Sequence, residues 1–182
     1  MTVEQIRYPA YKRITSAIIL GLMVFWAGYL LLWPTNPSKA AGTGIAIGKP
    51  APDFELKTVD GQSMKLSDLK GKAVILNFFA TWCPSCKEET PLLQQTYQDN
   101  QRNLVVLAVD LDESDVAIKA YQTGYHVTYP IVIDKNDRVM KQYDIVPLPT
   151  TYFIDKNGIV RDRWTGGITK AKMPALLKKI LP

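Results

Sequence analysis

The run Ala73–Ala80 (AVILNFFA) ends three residues before Cys83, and Asn77 is its only polar member. A stretch this short and this apolar suits a strand buried on both faces. Leu104–Asp110 (LVVLAVD) reads the same way. Between them, Lys87–Asn100 is polar and periodic, which predicts a helix with a kink at Pro91. Ser114–Thr123 predicts a second helix, starting at Glu113 or Ser114, and Ile131–Asp134 a short strand. Thr151–Asp155 and Ile159–Trp164 flank Lys156-Asn157-Gly158, where Asn-Gly suits the tight turn of a hairpin. Gly166-Gly167 breaks the chain, and Lys170–Leu181 predicts a terminal helix. Strands that alternate with helices and close with a hairpin and a helix predict an α/β fold, its central sheet flanked by helices.

A second constraint lies at the N-terminus. Residues 14–33 (ITSAIILGLMVFWAGYLLLW) carry no charge. As a helix they would extend about 30 Å, the thickness of a bilayer core. Arg7, Lys12 and Arg13 precede the segment, and Pro34 ends it. By the positive-inside rule the N-terminus is expected in the cytoplasm and the remainder outside. Trp26, Tyr29 and Trp33 stand toward the far end, as interfacial aromatics do. A cleaved signal peptide is the alternative, with Ser38-Lys39-Ala40 as its cleavage site, but the apolar run is longer than a signal h-region. The expected organisation is a cytoplasmic N-terminus at 1–13, a transmembrane anchor at 14–33, a linker at 34–46 rich in Pro, Gly, Ser, Thr and Ala, and one domain at 47–182.

The chain has 182 residues, is 47% hydrophobic and has a net charge of +5. It is not a disordered chain. No basic run is interleaved with aromatics, so there is no nucleic-acid signal.

Only two cysteines occur, in Trp82-Cys83-Pro84-Ser85-Cys86. A structural disulfide framework would normally use more cysteines, set further apart. A structural zinc site needs about four ligands, and beyond this pair the chain has a single His126. The remaining reading is a redox-active dithiol. Cys83 falls where a buried strand hands over to a helix, whose N-terminal N–H groups stabilise a thiolate. Cys86 lies one helical turn on and faces the same side. Cys83 is expected to be exposed and to attack, and Cys86 to be more buried and to resolve the mixed disulfide. Pro84 is tolerated in the first turn. Neither Pro84 nor Ser85 adds charge, so a reducing rather than strongly oxidising couple is expected.

These residues resemble the membrane-anchored thioredoxin-like thiol-disulfide oxidoreductases of the ResA/TlpA type. The likeness runs from Gly48-Lys49-Pro50-Ala51-Pro52-Asp53-Phe54 through Asn77-Phe78-Phe79-Ala80-Thr81-Trp82-Cys83 to Pro147-Leu148-Pro149-Thr150-Thr151-Tyr152-Phe153-Ile154-Asp155. The resemblance implies a thioredoxin-like fold with a central mixed sheet. It implies that Pro149 is a cis-proline packed near the cysteines and that the backbone of Leu148 is free to pair with an extended substrate. It also implies that Glu89 matches an acidic residue near the active site; partly buried, its pKa would be raised, and it could move the proton that Cys86 loses. Trp82 is expected on the recognition surface. Asn77 stands where soluble thioredoxins carry an Asp, so no proton can be held there, and Pro84-Ser85 departs from the commoner proline at the second position. The family's usual substrate is the oxidised Cys-x-x-Cys-His of apocytochrome c, with a CcdA-type membrane thiol carrier as electron donor. The expected location is the bacterial cell membrane, with the catalytic domain outside and lipid contacts through the anchor. No cofactor is expected.

Alternatives from other classes make distinct demands. Reduction of spore-envelope or other exported proteins would use the same site. A Sco-like copper chaperone uses a Cys-x-x-x-Cys spacing and a distant His. A peroxiredoxin needs a Pro-x-x-x-Thr-x-x-Cys setting, which the chain lacks.

Overall fold

The computed structural model describes residues 44–181 and, in the N-terminal segment, residues 22, 23, 25, 26, 28 and 29, which are helical. The chain divides into two compact units, Met1–Lys39 and Ala40–Pro182. Among the described residues no helix is long and apolar enough to cross a membrane. Most of the expected anchor at 14–33 lies outside the described residues, as does all of 1–13.

The second unit contains strands β1 (Glu55–Thr58), β2 (Ser63–Lys65), β3 (Ala73–Phe79), β4 (Leu104–Asp110), β5 (Ile131–Ile133), β6 (Thr150–Ile154) and β7 (Val160–Thr165). Its helices are α1 (Pro84–Asn100), α2 (Asp115–Gly124), α3 (Arg138–Gln142) and α4 (Met173–Leu177). The strands form one mixed sheet in the order β2-β1-β5-β4-β3-β6-β7. The central strand β3 pairs parallel with β4 and antiparallel with β6. The α/β reading of the sequence holds.

Strand alternation divides the core. Ala73, Ile75 and Phe79 of β3 pack with Leu93 of α1, Ile118 and Tyr121 of α2, and Met173 and Leu176 of α4. Val74, Leu76 and Phe78 face the other way, against Phe54, Leu66, Val139 and Tyr143. Both faces of β3 are therefore covered, which explains its continuous apolar run. Asn77, being odd, faces α1, and this places the one polar residue of the strand beside the helix that carries Cys86.

The expected boundaries shift where caps decide them. Helix α1 begins at Pro84 rather than Lys87, because Cys83 is its N-cap and Pro84 needs no N–H partner in the first turn. Pro91 lies inside the helix, which runs on to Asn100. Ser114 caps α2 by accepting from the Ala117 N–H at 3.3 Å. The expected terminal helix is regular only over Met173–Leu177, after which the Lys179 and Ile180 N–H groups bond three residues back. The Asn157-Gly158 turn is as expected: Asp155 Oδ1 accepts from the Asn157 and Ile159 N–H groups, and Gly158 takes a positive φ of 81°. Strands β1 and β2 and helix α3 carry no clear signal in the sequence. Gly44 and Ile45, placed in the expected linker, are tied to the domain: the Gly44 N–H donates to Asp144 and the Ile45 N–H to the Tyr152 hydroxyl at 3.0 Å.

Candidate active site: a disulfide at a strand–helix junction

Strand β3 delivers Ala80, Thr81 and Trp82 into a turn, and Cys83 follows as the residue that opens α1. The side chain of Cys83 accepts the Cys86 N–H at 3.3 Å, so a first-turn N–H of the helix is aimed at this sulfur. The two cysteines are joined as a disulfide with a Cα–Cα separation of 5.3 Å. The sequence reading expected Cys83 to be exposed. In this oxidised form it is only 5% accessible, against 1% for Cys86. The order is as expected, but Cys83 is buried rather than exposed. Beside it Trp82 projects into solvent at 65% exposure, so it is a surface residue rather than a core one.

The Leu148–Pro149 peptide bond is cis. Pro149 is buried; its carbonyl accepts the Gly166 N–H at 2.8 Å. Among the described residues the N–H and C=O of Leu148 have no hydrogen-bond partner. Half-buried and next to the strand that flanks β3, this peptide can accept an extended segment.

Glu89 is one turn beyond Cys86 on α1 and is 2% exposed, more deeply buried than expected. Its Oε1 accepts from Asn77 Nδ2 at 2.8 Å, and its Oε2 from the Ile168 N–H at 2.8 Å. Asn77 also donates to Thr151 Oγ1 at 2.8 Å. One carboxyl thus ties together β3, β6, α1 and the loop after β7. Burial raises its pKa to about 7, and the bonds from Ile168 and Asn77 limit the rise. A carboxyl with this value can hold or release a proton near neutral pH. It lies at the floor of an open groove of about 510 Å³ lined also by Ser85, Glu88, Leu92, Ile168 and Thr169. Gly167 closes one wall, where a Cβ would stand 3.4 Å from the Ser85 carbonyl.

Sequence reasoning missed several parts of this neighbourhood. The Ile168 N–H and the Thr151 hydroxyl are backbone and register effects that no motif announces. Thr90 Oγ1 donates to the Cys86 carbonyl at 2.7 Å and pairs with the Tyr121 hydroxyl. Glu113 accepts from Thr81, in the turn before Trp82. His126 is exposed and adjoins none of these groups in the hydrogen-bond network; its φ is 52° and its N–H donates to the Thr123 carbonyl. Among the described residues no group of three or more His, Cys, Asp or Glu is placed to hold a metal.

Residues 47–163 match the model of the AhpC/TSA family. The chain is 37% identical over 172 residues to the thiol-disulfide oxidoreductase ResA of Geobacillus thermodenitrificans, covering 94% of this chain and 97% of that protein. It is 36% identical over 165 residues to the thioredoxin-like protein YneN of Bacillus subtilis, covering 89% and 95% respectively. Among solved structures, a thiol:disulfide interchange protein of the thioredoxin family from Chlorobium tepidum superposes with a TM-score of 0.68 at 33% identity, over 76% of this chain and 99% of that one. StoA from Bacillus subtilis superposes with a TM-score of 0.60 at 27% identity, over 71% and 98%. The disulfide at a helix N-terminus, the cis-proline that leads into β6 and these likenesses agree: the chain belongs to the AhpC/TSA family and to the thioredoxin-like thiol-disulfide oxidoreductases of the ResA type.

Proposed function

We propose that this oxidoreductase reduces disulfides in exported proteins, with the Cys-x-x-Cys-His of apocytochrome c as its substrate. The Cys83 thiolate attacks the substrate disulfide and forms a mixed disulfide, releasing one substrate thiolate. Cys86 then attacks Cys83, which frees the second substrate thiol and leaves the bridge seen here. Glu89 takes the proton that Cys86 gives up. Trp82 and the Leu148-Pro149 backbone hold the substrate segment. A CcdA-type membrane thiol carrier returns two electrons to the Cys83–Cys86 bridge.

The observation that carries this reading is the buried Glu89 with a pKa near 7, one helical turn from the buried sulfur. The resolving cysteine is the one that needs a local base, because it is shut off from water. Neutral residues between the cysteines favour a reducing couple.

The same proposal places the domain outside the cytoplasm on an anchor at 14–33. Leu22, Met23, Phe25 and Trp26 are exposed apolar side chains on helical backbone, which need a covering medium. The match to the Geobacillus ResA covers 94% of the chain and so extends into this segment.

Trapping tests the function. In cells making Cys86→Ala, Cys83 should accumulate in a stable mixed disulfide with an apocytochrome c, and Cys83→Ala should trap nothing. Adducts confined to other exported proteins would replace the substrate named here. No adduct with any exported protein or membrane thiol carrier would overturn the exchange mechanism.

A further inference from the structure

We propose that Asp110 and Glu113 form a carboxyl pair that shares one proton and positions the Thr81–Trp82 turn leading to Cys83, and that losing this proton loosens the turn. The pair acts on thiol exchange at Cys83–Cys86 whichever protein is reduced, so it does not rest on the substrate proposed above.

Asp110 ends β4, opposite Phe79 in the parallel register, and is fully buried. Its Oδ1 accepts the Glu113 N–H at 2.9 Å. Its Oδ2 is buried and has no hydrogen-bond donor among the described residues. An ionised Asp110 would therefore leave a charge-bearing oxygen unpaired in the interior, at a cost that proteins avoid by protonation. The Glu113 carboxyl lies within hydrogen-bonding reach of Asp110. A proton on Oδ2 turns that oxygen into a donor to Glu113 and satisfies both groups.

Glu113 already accepts two bonds from one residue. The Thr81 N–H donates to its Oε2 at 2.6 Å and the Thr81 hydroxyl to its Oε1 at 2.5 Å. The assignment that satisfies both Asp110 oxygens is a neutral Asp110 that donates to Glu113, with Thr81 held at two points. Thr81 immediately precedes the exposed Trp82 and the Cys83 N-cap, so the clamp fixes how both are displayed.

The groups around the pair bias Asp110 toward its protonated form, so the pair is sensitive to alkali. Tyr121 of α2 is pushed up to about 12 by burial, with Tyr125, Glu89 and Glu113 adding to the rise. The Asp134 carboxylate is turned away, onto the Val139 and Met140 N–H groups, and Asp112 onto the Asn136 N–H. These neighbours are acids or a phenol. Burial, with Glu113 adding to it, raises Asp110 to about 8. Above that value two adjoining carboxylates would repel each other and drive Glu113 off Thr81.

The test uses the full chain in detergent, labelled with carboxyl carbon-13 aspartate. The Asp110 signal should titrate on the alkaline side of neutrality, and Glu113→Gln should move that titration toward acid. In parallel, exchange of the reduced protein with a small disulfide is followed from pH 6 to pH 9.5. Relative to its own rate at pH 7, the wild type should fall several-fold behind Asp110→Asn at the alkaline end. An Asp110 already ionised at neutral pH overturns the proposal. So do pH profiles that differ only by a constant factor, the result of a merely structural role. Should Asp110→Asn fail to fold, the titrations of the wild type and Glu113→Gln decide alone.

Discussion

Glu89 meets two opposed demands. It must be buried to lie beside Cys86, and burial penalises its charge. The Asn77 and Ile168 bonds offset part of that penalty, leaving a pKa of about 7 against an ordinary 4.5. A group whose pKa is higher in the folded than in the unfolded chain stabilises the fold fully below the unfolded value, and this contribution is lost as pH rises through the folded one. At ~1.36 kcal/mol per pH unit, the interval between 4.5 and 7 corresponds to about 3 kcal/mol. Urea unfolding of the oxidised protein should therefore show wild-type stability falling from pH 4.5 to pH 8 relative to Glu89→Gln, by up to about that amount. A constant difference between the two across this range would mean that Glu89 is ionised throughout. In turnover, Glu89→Gln should slow exchange roughly 100-fold near neutral pH, the scale of a lost general base, measured with a protein disulfide as substrate.

Helix α1 links the chemistry to the core. Its first turn carries the disulfide and its second Glu89, while Leu93 packs under the sheet at 1% exposure. Leu93→Ala should cost about 2–5 kcal/mol in stability, read as a lower urea midpoint. Exchange measured well below that midpoint should change far less, because Leu93 lies about two turns along α1 from Cys86 and carries no group that can take part in the chemistry. The readable parts of this element were those with a local physical cause. Cys83, Pro84 and Cys86 announce a capped helix start by residue type and spacing. Asn77 was legible as a departure from an Asp, but its partner was not, because a bond from β3 to α1 depends on which strand face meets which helix face. Pro149 and Glu89 came through resemblance. The bond from Ile168 to Glu89 joins residues 79 positions apart and involves a backbone N–H, which every residue type but proline supplies. Strands β1 and β2 were missed because they are short and charged, with β1 held to β5 by only two residue pairs, so packing rather than pattern defines them.

On the scale of the whole domain, the sheet distributes its work unevenly. Strands β3, β4 and β6 pair over long registers, five to seven residues each way, and they carry the active-site turn, Asp110 and the cis-proline. The chain enters elsewhere. Gly44 and Ile45 attach to Asp144 and to the Tyr152 hydroxyl, and the next ties are the Gly48 and Val160 bonds to the β7 side and the bridge from Pro50 to Ile159. A load applied through residues 40–43 would meet these few bonds first, then the bonds that hold Ala51, Pro52 and Asp53 to Gly158, Tyr143 and Gln142, and the two-pair β1–β5 seam after them. The entry segment would peel while the three central strands stayed knit. In single-molecule stretching from the N-terminus, the oxidised domain should lengthen in an early, low-force step corresponding to residues 44–65, and the disulfide-bearing turn should yield only at higher force. On the anchor proposed above, the entry segment would act as a mechanical fuse: it would absorb strain before the reacting sulfurs are disturbed.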